Sequence, residues 1–382
     1  MKLTELRARE SLDARLEATL LGCIRMDEAL GDTGYEADAG LGMWYEHPFF
    51  SVFVKKGFCE AGRRYLRAQY MYTPVRKRRL VQAASVRLMS AGLVFDRSLK
   101  AGVMLPDGAD PMHQMWMIGN HRVRRFDFAR KVVRVYPKAG FSDAGIRREI
   151  AFRKGISRDW VCALDALSEH VFEEPLLDAM PLDRVPDEAL REKALEAAVA
   201  AVSELNGMGR RQMTGASFVA ENQKKYEALK ARMHGRFAGL DLSLVDEVFA
   251  RANAVIKRAL SVDVGMTHGD LQPGNVLVLN GNEGRICLID WEDVGERASV
   301  YDVMTWRLQS RRPVGLSERV REFLARGDVA PFSLPCSAEL ALSLWAVEEW
   351  LWLLESNSRE GIEHVPQGLV MQFQELRKFL RS

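Results

Sequence analysis

The stretch "NVLVLNGNEGRICLID", residues 275 to 290, constrains this chain more than any other. "VLVL" and "RICLI" are short apolar runs joined by a Gly/Asn-rich turn around Asn280 to Gly284, the pattern of a β-hairpin. If Asn280 pairs with Arg285, the same register puts Asn275 across from Asp290 at the open end of the hairpin. Just upstream, "THGDLQPGN" packs His268, Asp270 and Asn275 among Gly269, Pro273 and Gly274. A single Asp or Asn near a hairpin end is usually a turn-former. Four polar residues at spacings that gather them around one hairpin end ask for chemistry instead. A neutral amide oxygen beside a carboxylate is a pair of hard donors, which suits Mg²⁺, an ion that takes one or two protein ligands plus phosphates and water. Asp270, five residues before Asn275 in a compact loop, would reach a substrate hydroxyl beside the metal-bound phosphate.

The rest of the chain is that of an ordinary globular protein, with 382 residues, 47% of them apolar and 28% charged. Its richest apolar run, "LWAVEEWLWLL", is broken by Glu348 and Glu349, so no transmembrane segment is expected. The N-terminus alternates charges and does not read as a signal peptide. Five cysteines (Cys23, Cys59, Cys162, Cys287 and Cys336) are scattered without a CxxC. That pattern predicts a cytoplasmic protein without a disulfide framework or structural zinc. Net charge is only +2, yet ten Lys/Arg lie between Lys55 and Leu88 against Glu60 alone. This segment reads either as a solvated helix face, with Leu80, Ala83, Ala84, Val86 and Leu88 packed on the body, or as a site for an anionic partner.

The Gly/Pro/Asp-rich "AGVMLPDGADPM" (101–112) is the expected linker. Beyond it "HQMWMIG", "RVRRFDF" and "KVVRVYP" read as strands, followed by a helix in "DAGIRREIAFRKG" opened at Ser142 or Asp143. Two shorter strands are expected in "VCALDALSE" and "VFEEPLLDAM". After Pro186 the pattern turns helical. The first helix has an apolar face through Leu190, Ala194, Ala197, Ala201 and Leu205, and a second has a Ser243/Asp246 capping pattern. The predicted fold class is therefore α+β: an N-terminal extension over 1–105, a strand-rich N-lobe over 106–182 and a helical C-lobe over 183–382.

"HGDLQPGNVL" followed by "LIDWEDVGERASVYDV" resembles the catalytic segment of the aminoglycoside phosphotransferase/choline kinase family, small-molecule kinases with a protein-kinase-like bilobal fold. His268, Asp270 and Asn275 match an HxDxxxxN loop, and Asp290 matches the metal-binding Asp of the second motif. The resemblance implies ATP and Mg²⁺ as cofactors, Asp270 as catalytic base, and Asn275 and Asp290 as magnesium ligands. Gln272 would lie on the nucleotide side, with His268 and Asp302 supporting the loop and Gly295 at a family glycine position. The family's strand lysine and helix glutamate would correspond to Arg134 and Glu149, with Lys131 and Lys138 as alternatives to the arginine. Gly119 is all that is visible of a phosphate loop. "EEPLLDAMPLDRVP" resembles the lobe connector, which makes Leu177 and Met180 the expected adenine-side hinge.

Two functions compete on these residues: a phosphotransferase acting on a small-molecule hydroxyl, and a pseudokinase-like module that binds nucleotide or ligand without turnover. The intact Asp270/Asn275/Asp290 set favours the first, and the arginine at the lysine position is the argument for the second. Nucleic-acid binding has only the basic segment behind it. The helix "AELALSLWAVEEWLWLLESNS" places Trp345, Glu348, Glu349 and Trp352 along one face, which reads either as scaffold with its glutamates in water or as a seat for a cationic acceptor.

Overall fold

The computed structural model describes residues 3–31, 41–72, 78–108, 110–237, 241–281, 283–359 and 361–380. Its contacts divide the chain into two compact units, Met1–Ala194 with Leu277–Ile289, and Leu195–Val276 with Asp290–Ser382.

The first unit opens with helices α1 (Leu3–Arg7) and α2 (Leu12–Ala29), then strands β1 (Leu41–His47) and β2 (Val52–Val54). Helices α3 (Glu60–Tyr70), α4 (Arg79–Met89) and α5 (Gly92–Arg97) follow, then β3 (Lys100–Pro106), β4 (Gln114–Ile118), β5 (Arg122–Asp127) and β6 (Val132–Pro137). Helix α6 (Ala144–Lys154), the strands β7 (Asp165–Ala166), β8 (Phe172–Pro175) and β9 (Ala179–Pro181), and the start of α7 (Glu188–Gly207) complete the main run. Eight strands form one sheet in the order β3-β1-β2-β4-β5-β6-β8-β7. The predicted linker at 101–112 is therefore largely strand: β3 pairs antiparallel with β1, so the extension and the N-lobe share a sheet. The pairing shifts register between Trp44 and Tyr45, and a Cβ on Gly102 there would lie 2.3 Å from the Trp44 carbonyl, so only glycine fits the bulge.

Both faces of this sheet are covered, which is why its strands show no clean alternation. On one face Leu16, Leu20 and Ile24 of α2 pack on Trp44, Trp116 and Tyr136. On the other, Ile146 and Ile150 of α6 join Val133, Val135 and Phe172 together with Phe58, Leu66 and Phe95. Arg125 and Arg134, cross-strand partners on the α2 face, both reach Asp27, which also accepts the Tyr136 hydroxyl at 2.9 Å. Arg134 adds a bond from Nε to Glu173 at 2.8 Å. Buried charge survives only with such partners.

Four of the eight described basic residues of the segment are engaged within the chain. Lys55 is buried against Asp107 and the Trp44 ring, Arg63 and Arg67 bridge to Glu60, and Arg79 lies over Tyr72. Arg76 and Lys77 lie outside the described residues. The expected apolar stripe is not packed: Val86 is buried, but Leu80 is 86% and Leu88 59% exposed.

In the second unit α7 continues, burying Ala198, Ala201 and Leu205, before β10 (Arg211–Met213), α8 (Gly215–Arg236), α9 (Ser243–Ile256) and β11 (Val262–Thr267). The Ser243/Asp246 cap is not formed. Asp241 takes the Ser243 N–H at 2.9 Å, while Asp246 accepts Tyr226 and Lys230 from α8. Strands β12 (Val276–Leu279) and β13 (Ile286–Leu288) form the predicted hairpin and, with β9, a three-stranded sheet in the first unit. Then come β14 (Gly295–Ala298), α10 (Tyr301–Leu308), α11 (Leu316–Arg326), α12 (Ala338–Asn357) and α13 (Gln367–Leu380). β11 is flanked by β10 and β14, and α12 packs on α8, α9 and α10. Among the described residues no helix is long and apolar enough to cross a membrane.

Candidate active site

The loop after β11 is shaped by one glycine and one buried carboxylate. Gly269 has φ +84°, and a Cβ there would sit 2.1 Å from the Asp293 carbonyl, so no other residue fits. Asp302, fully buried in the first turn of α10, accepts the backbone N–H of His268 at 2.6 Å and of Gly269 at 3.0 Å. Burial pushes its carboxyl up, against the pull of His268 and those two N–H groups. The His268 ring packs on Trp291, with centroids 4.5 Å apart, and its Nδ1 faces the Asp270 N–H at 3.4 Å. His268 and Asp302 thus build the loop.

Asp270 is the loop's accessible end, with 17% of its side chain exposed. Its Oδ2 accepts Gln272 Nε2 at 3.0 Å and Asn275 Nδ2 at 3.1 Å, and its Oδ1 accepts Arg311 Nε at 2.6 Å. Burial pushes the Asp270 carboxyl up, Arg311 draws it down, and the nearby charges of Asp290 and Asp293 push it up again. A carboxylate offers about four acceptor positions, so these three bonds leave room for roughly one more donor. Asn275, at the end of a 3₁₀ turn, spends its amide nitrogen on Asp270 twice, the second bond going to the carbonyl at 2.9 Å. That orientation leaves the amide oxygen as the donor end for a cation.

Asp290 directly follows the hairpin in the left-handed region, at φ +70°. The expected register needs correction: the Leu279 N–H donates to the Arg285 carbonyl at 3.0 Å, so Leu279 and not Asn280 stands opposite Arg285. Asp290 is thus turned by the backbone after β13 and not carried in the ladder. Among the described residues no group of three His, Cys, Asp or Glu could hold a metal. A cation here would rest on two side chains, Asn275 and Asp290, plus non-protein ligands. Two oxygen donors of this kind fit magnesium and not zinc.

The structure does not bring Arg134 to Glu149. Successive strand residues point to opposite faces, and Arg134 faces α2 while Glu149 rises from α6 on the other side. Glu149 is held by Arg122 of β5 at 2.8 Å and by Arg153 at 2.7 Å, all buried. A strand arginine paired with the α6 glutamate exists, but on the strand before the expected one. Of the alternatives, Lys131 is an exposed turn residue, and Lys138 is fully buried against Glu10. Gly119 closes the tight β4–β5 turn, donating to the Arg122 carbonyl at 2.8 Å. Met180 sits in β9 opposite Val278 of the hairpin, with Leu177 just before it, and Asp178 holds Asn280. Gln272 bonds Asp270.

Helix α12 is where the structure adds most. Glu348 and Glu349 are not in water: Glu348 caps the Ala298 N–H at 3.0 Å, and Glu349 takes the Tyr301 hydroxyl at 2.8 Å together with Arg311. Burial pushes the Glu348 carboxyl up to about 8. Trp345 Nε1 reaches Thr305 at 3.2 Å, and Trp352 lies under the Arg311 guanidinium, 3.5 Å from ring centroid to Cζ. Arg311 also donates to the Gly269 carbonyl at 3.1 Å. Burial opposes its charge, but Glu349, Tyr301 and Asp270 hold its guanidinium well above the ordinary value. No motif marks Arg311. The Arg311–Arg312 pair after α10 is the only trace it leaves in the sequence.

Comparison with known proteins follows this geometry. A search of curated proteins found no match. Solved structures similar to the chain include a thermostable mutant of aminoglycoside phosphotransferase APH(4)-Ia, at 15% identity over 70% of this chain and 90% of that one, TM-score 0.43. Choline kinase LicA from Streptococcus pneumoniae is similar at 15% identity over 72% and 92%, TM-score 0.44, and Plasmodium vivax ethanolamine kinase at 12% over 86% and 95%, TM-score 0.45. Residues 122–331, more than half of the chain and all of the loop just described, match the phosphotransferase enzyme family, and the chain belongs to that family.

Proposed function

We propose that this chain, a small-molecule kinase by family, transfers the γ-phosphoryl group of ATP to a hydroxyl with Asp270 as general base. The observation that carries the assignment is the Asp270 carboxylate itself, fixed by Arg311, Gln272 and Asn275 yet left with an open acceptor position. An acceptor hydroxyl at that position would give its proton to Asp270 as its oxygen attacks phosphorus. Asn275 and Asp290 would hold magnesium, which neutralises charge on the phosphates. Asp302 and Gly269 keep the loop from relaxing, so the base meets its substrate without reorganisation. Leu177 and Met180 remain the residues proposed beside the adenine. Arg122, paired with Glu149 as the family's strand cation would be, takes the place proposed for Arg134, since Arg134 is committed to Asp27 and Glu173.

A pseudokinase role draws on that same commitment of Arg134. The two readings separate in an ATP-consumption assay against a panel of small alcohols, with and without Mg²⁺, run on wild type and Asp270→Asn. Alcohol-dependent ADP release that needs Mg²⁺ and vanishes in Asp270→Asn supports the kinase reading. Tight ATP binding with no ADP release from any alcohol supports the module.

A further inference from the structure

A face of indoles and carboxylates beside a catalytic loop is a cation site, and here the cation is part of the chain. The Arg311 guanidinium sits between two carboxylates, Asp270 and Glu349, with its Nη2 3.1 Å from the Gly269 carbonyl and 3.5 Å from the Tyr301 hydroxyl. Its Nη1 adds Ser310 Oγ at 3.3 Å, and the Trp352 ring covers its flat face. A guanidinium offers five N–H donors in a rigid fork and a face that stacks on aromatics. Every nitrogen of Arg311 has an oxygen partner and the face is stacked, so the site is complete without a ligand.

We propose that Arg311 is the specificity-determining residue of the acceptor side: by filling from within the cation site made by Asp270, Glu349, Tyr301 and Trp352, it restricts the acceptor to uncharged alcohols. The inference rests on Asp270 being the base that the acceptor hydroxyl meets. A cationic group beside that hydroxyl would face the guanidinium at close range in a site screened from water, where like charges repel most strongly. To gain the carboxylates and the indole for itself, it would first have to displace an arginine held by all of them. A neutral alcohol meets no such competitor, while an anionic one would meet the carboxylates of Asp270 and Glu349. Arg311 also restrains Asp270 directly, so its removal affects turnover with every acceptor. The charge preference of the acceptor is the readout that a purely structural arginine would not move.

The test compares wild type, Arg311→Met and Arg311→Lys in the full chain on glycerol, glycerate, ethanolamine and choline. The expected wild type has a higher kcat/KM for glycerol than for glycerate, ethanolamine or choline. Arg311→Met raises the cationic-to-neutral ratio at least tenfold, mainly through KM, while Arg311→Lys, which keeps a cation, stays near wild type. A wild type that prefers choline or ethanolamine, or an unchanged ratio in Arg311→Met, overturns the proposal. A second measurement needs no turnover: calorimetric titration of methylguanidinium into Arg311→Ala, with Arg311→Ser as substitute should the alanine variant not fold. Uptake at one site in the folded variant and none in wild type is expected. A folded variant that takes up none overturns the cation site. A wild type that releases no ADP with any alcohol counts against the phosphotransferase reading, and the methylguanidinium titration still decides this one.

Discussion

Two arginines in this molecule have nearly the same company and opposite circumstances. Arg134 lies between Asp27 and Glu173 with Tyr136 close by, and Arg311 lies between Asp270 and Glu349 with Tyr301 close by. The first cluster is closed: its Arg134 side chain is 5% exposed, and Asp27, at 0%, accepts Arg125, Arg134 and Tyr136. The second is ajar, with Arg311 at 14% and Asp270 at 17%. Closed, the arrangement clamps a helix to a sheet, because the strands and α2 bring the partners together from far apart in sequence. Ajar and on a loop, it holds a carboxylate steady while leaving it reachable. Access separates a staple from a site, and residue type does not.

Substitutions tell the two clusters apart. Asp270→Ala should lower turnover by about 10²- to 10⁴-fold while leaving ATP affinity close to wild type. A coupled ADP assay and an ATP titration read the two quantities, and wild-type turnover would remove Asp270 from the mechanism. Asp27→Ala strips a counter-charge from two buried arginines and should cost about 3–5 kcal/mol of stability. Chemical denaturation of both variants decides whether the clusters are assigned correctly. Asp270→Ala should cost far less, since Arg311 keeps Glu349, and the reverse order would exchange their roles. Asp290→Ala should weaken Mg²⁺-ATP binding at least about tenfold, and Asn275→Ala less, because only the first removes a charge from the cation. Equal, wild-type affinities in a Mg²⁺-ATP titration would show that neither holds the metal.

A third buried carboxylate sets the smallest effect. Glu348 rests on the Ala298 N–H, with burial raising its carboxyl from an ordinary 4.5 to about 8. The folded chain then keeps a proton that the unfolded chain releases, so the contribution of Glu348 to stability is full below about pH 4.5 and is lost as pH rises towards 8. Glu348→Gln should flatten that decline, melting above wild type at pH 8 and close to it at pH 5. Parallel melting curves across that range would refute the shift.

The hairpin, its polar end and the order of strands from Gln114 to Pro175 were legible because turn residues and β-branched runs are local signals. Asp270 and Asn275 were legible for the same reason, being five residues apart in one loop. What escaped was long-range. Nothing near Arg134 in the sequence says that Asp27 will neutralise it, and nothing near Asp270 points to Arg311. The linker misled because Gly102 and Pro106 look like loop residues, whereas one is a bulge and the other ends a strand. The hairpin register slipped by a residue because the five-residue turn allows either pairing. Helix α4 misled in the other direction, since amphipathic spacing states which face is apolar and not whether anything covers it.

Asp27 has one consequence for how this protein can be inherited or rebuilt. The family segment begins at residue 122, yet Arg125 and Arg134 inside it are neutralised by a helix that ends at Ala29, and Lys138 is neutralised by Glu10. The stretch that matches the family is therefore smaller than the stretch that can be moved as a unit. A chimera joined at residue 122 would strip Asp27 from Arg125 and Glu10 from Lys138 and leave Arg134 with Glu173 alone, so a graft has to bring the first thirty residues along.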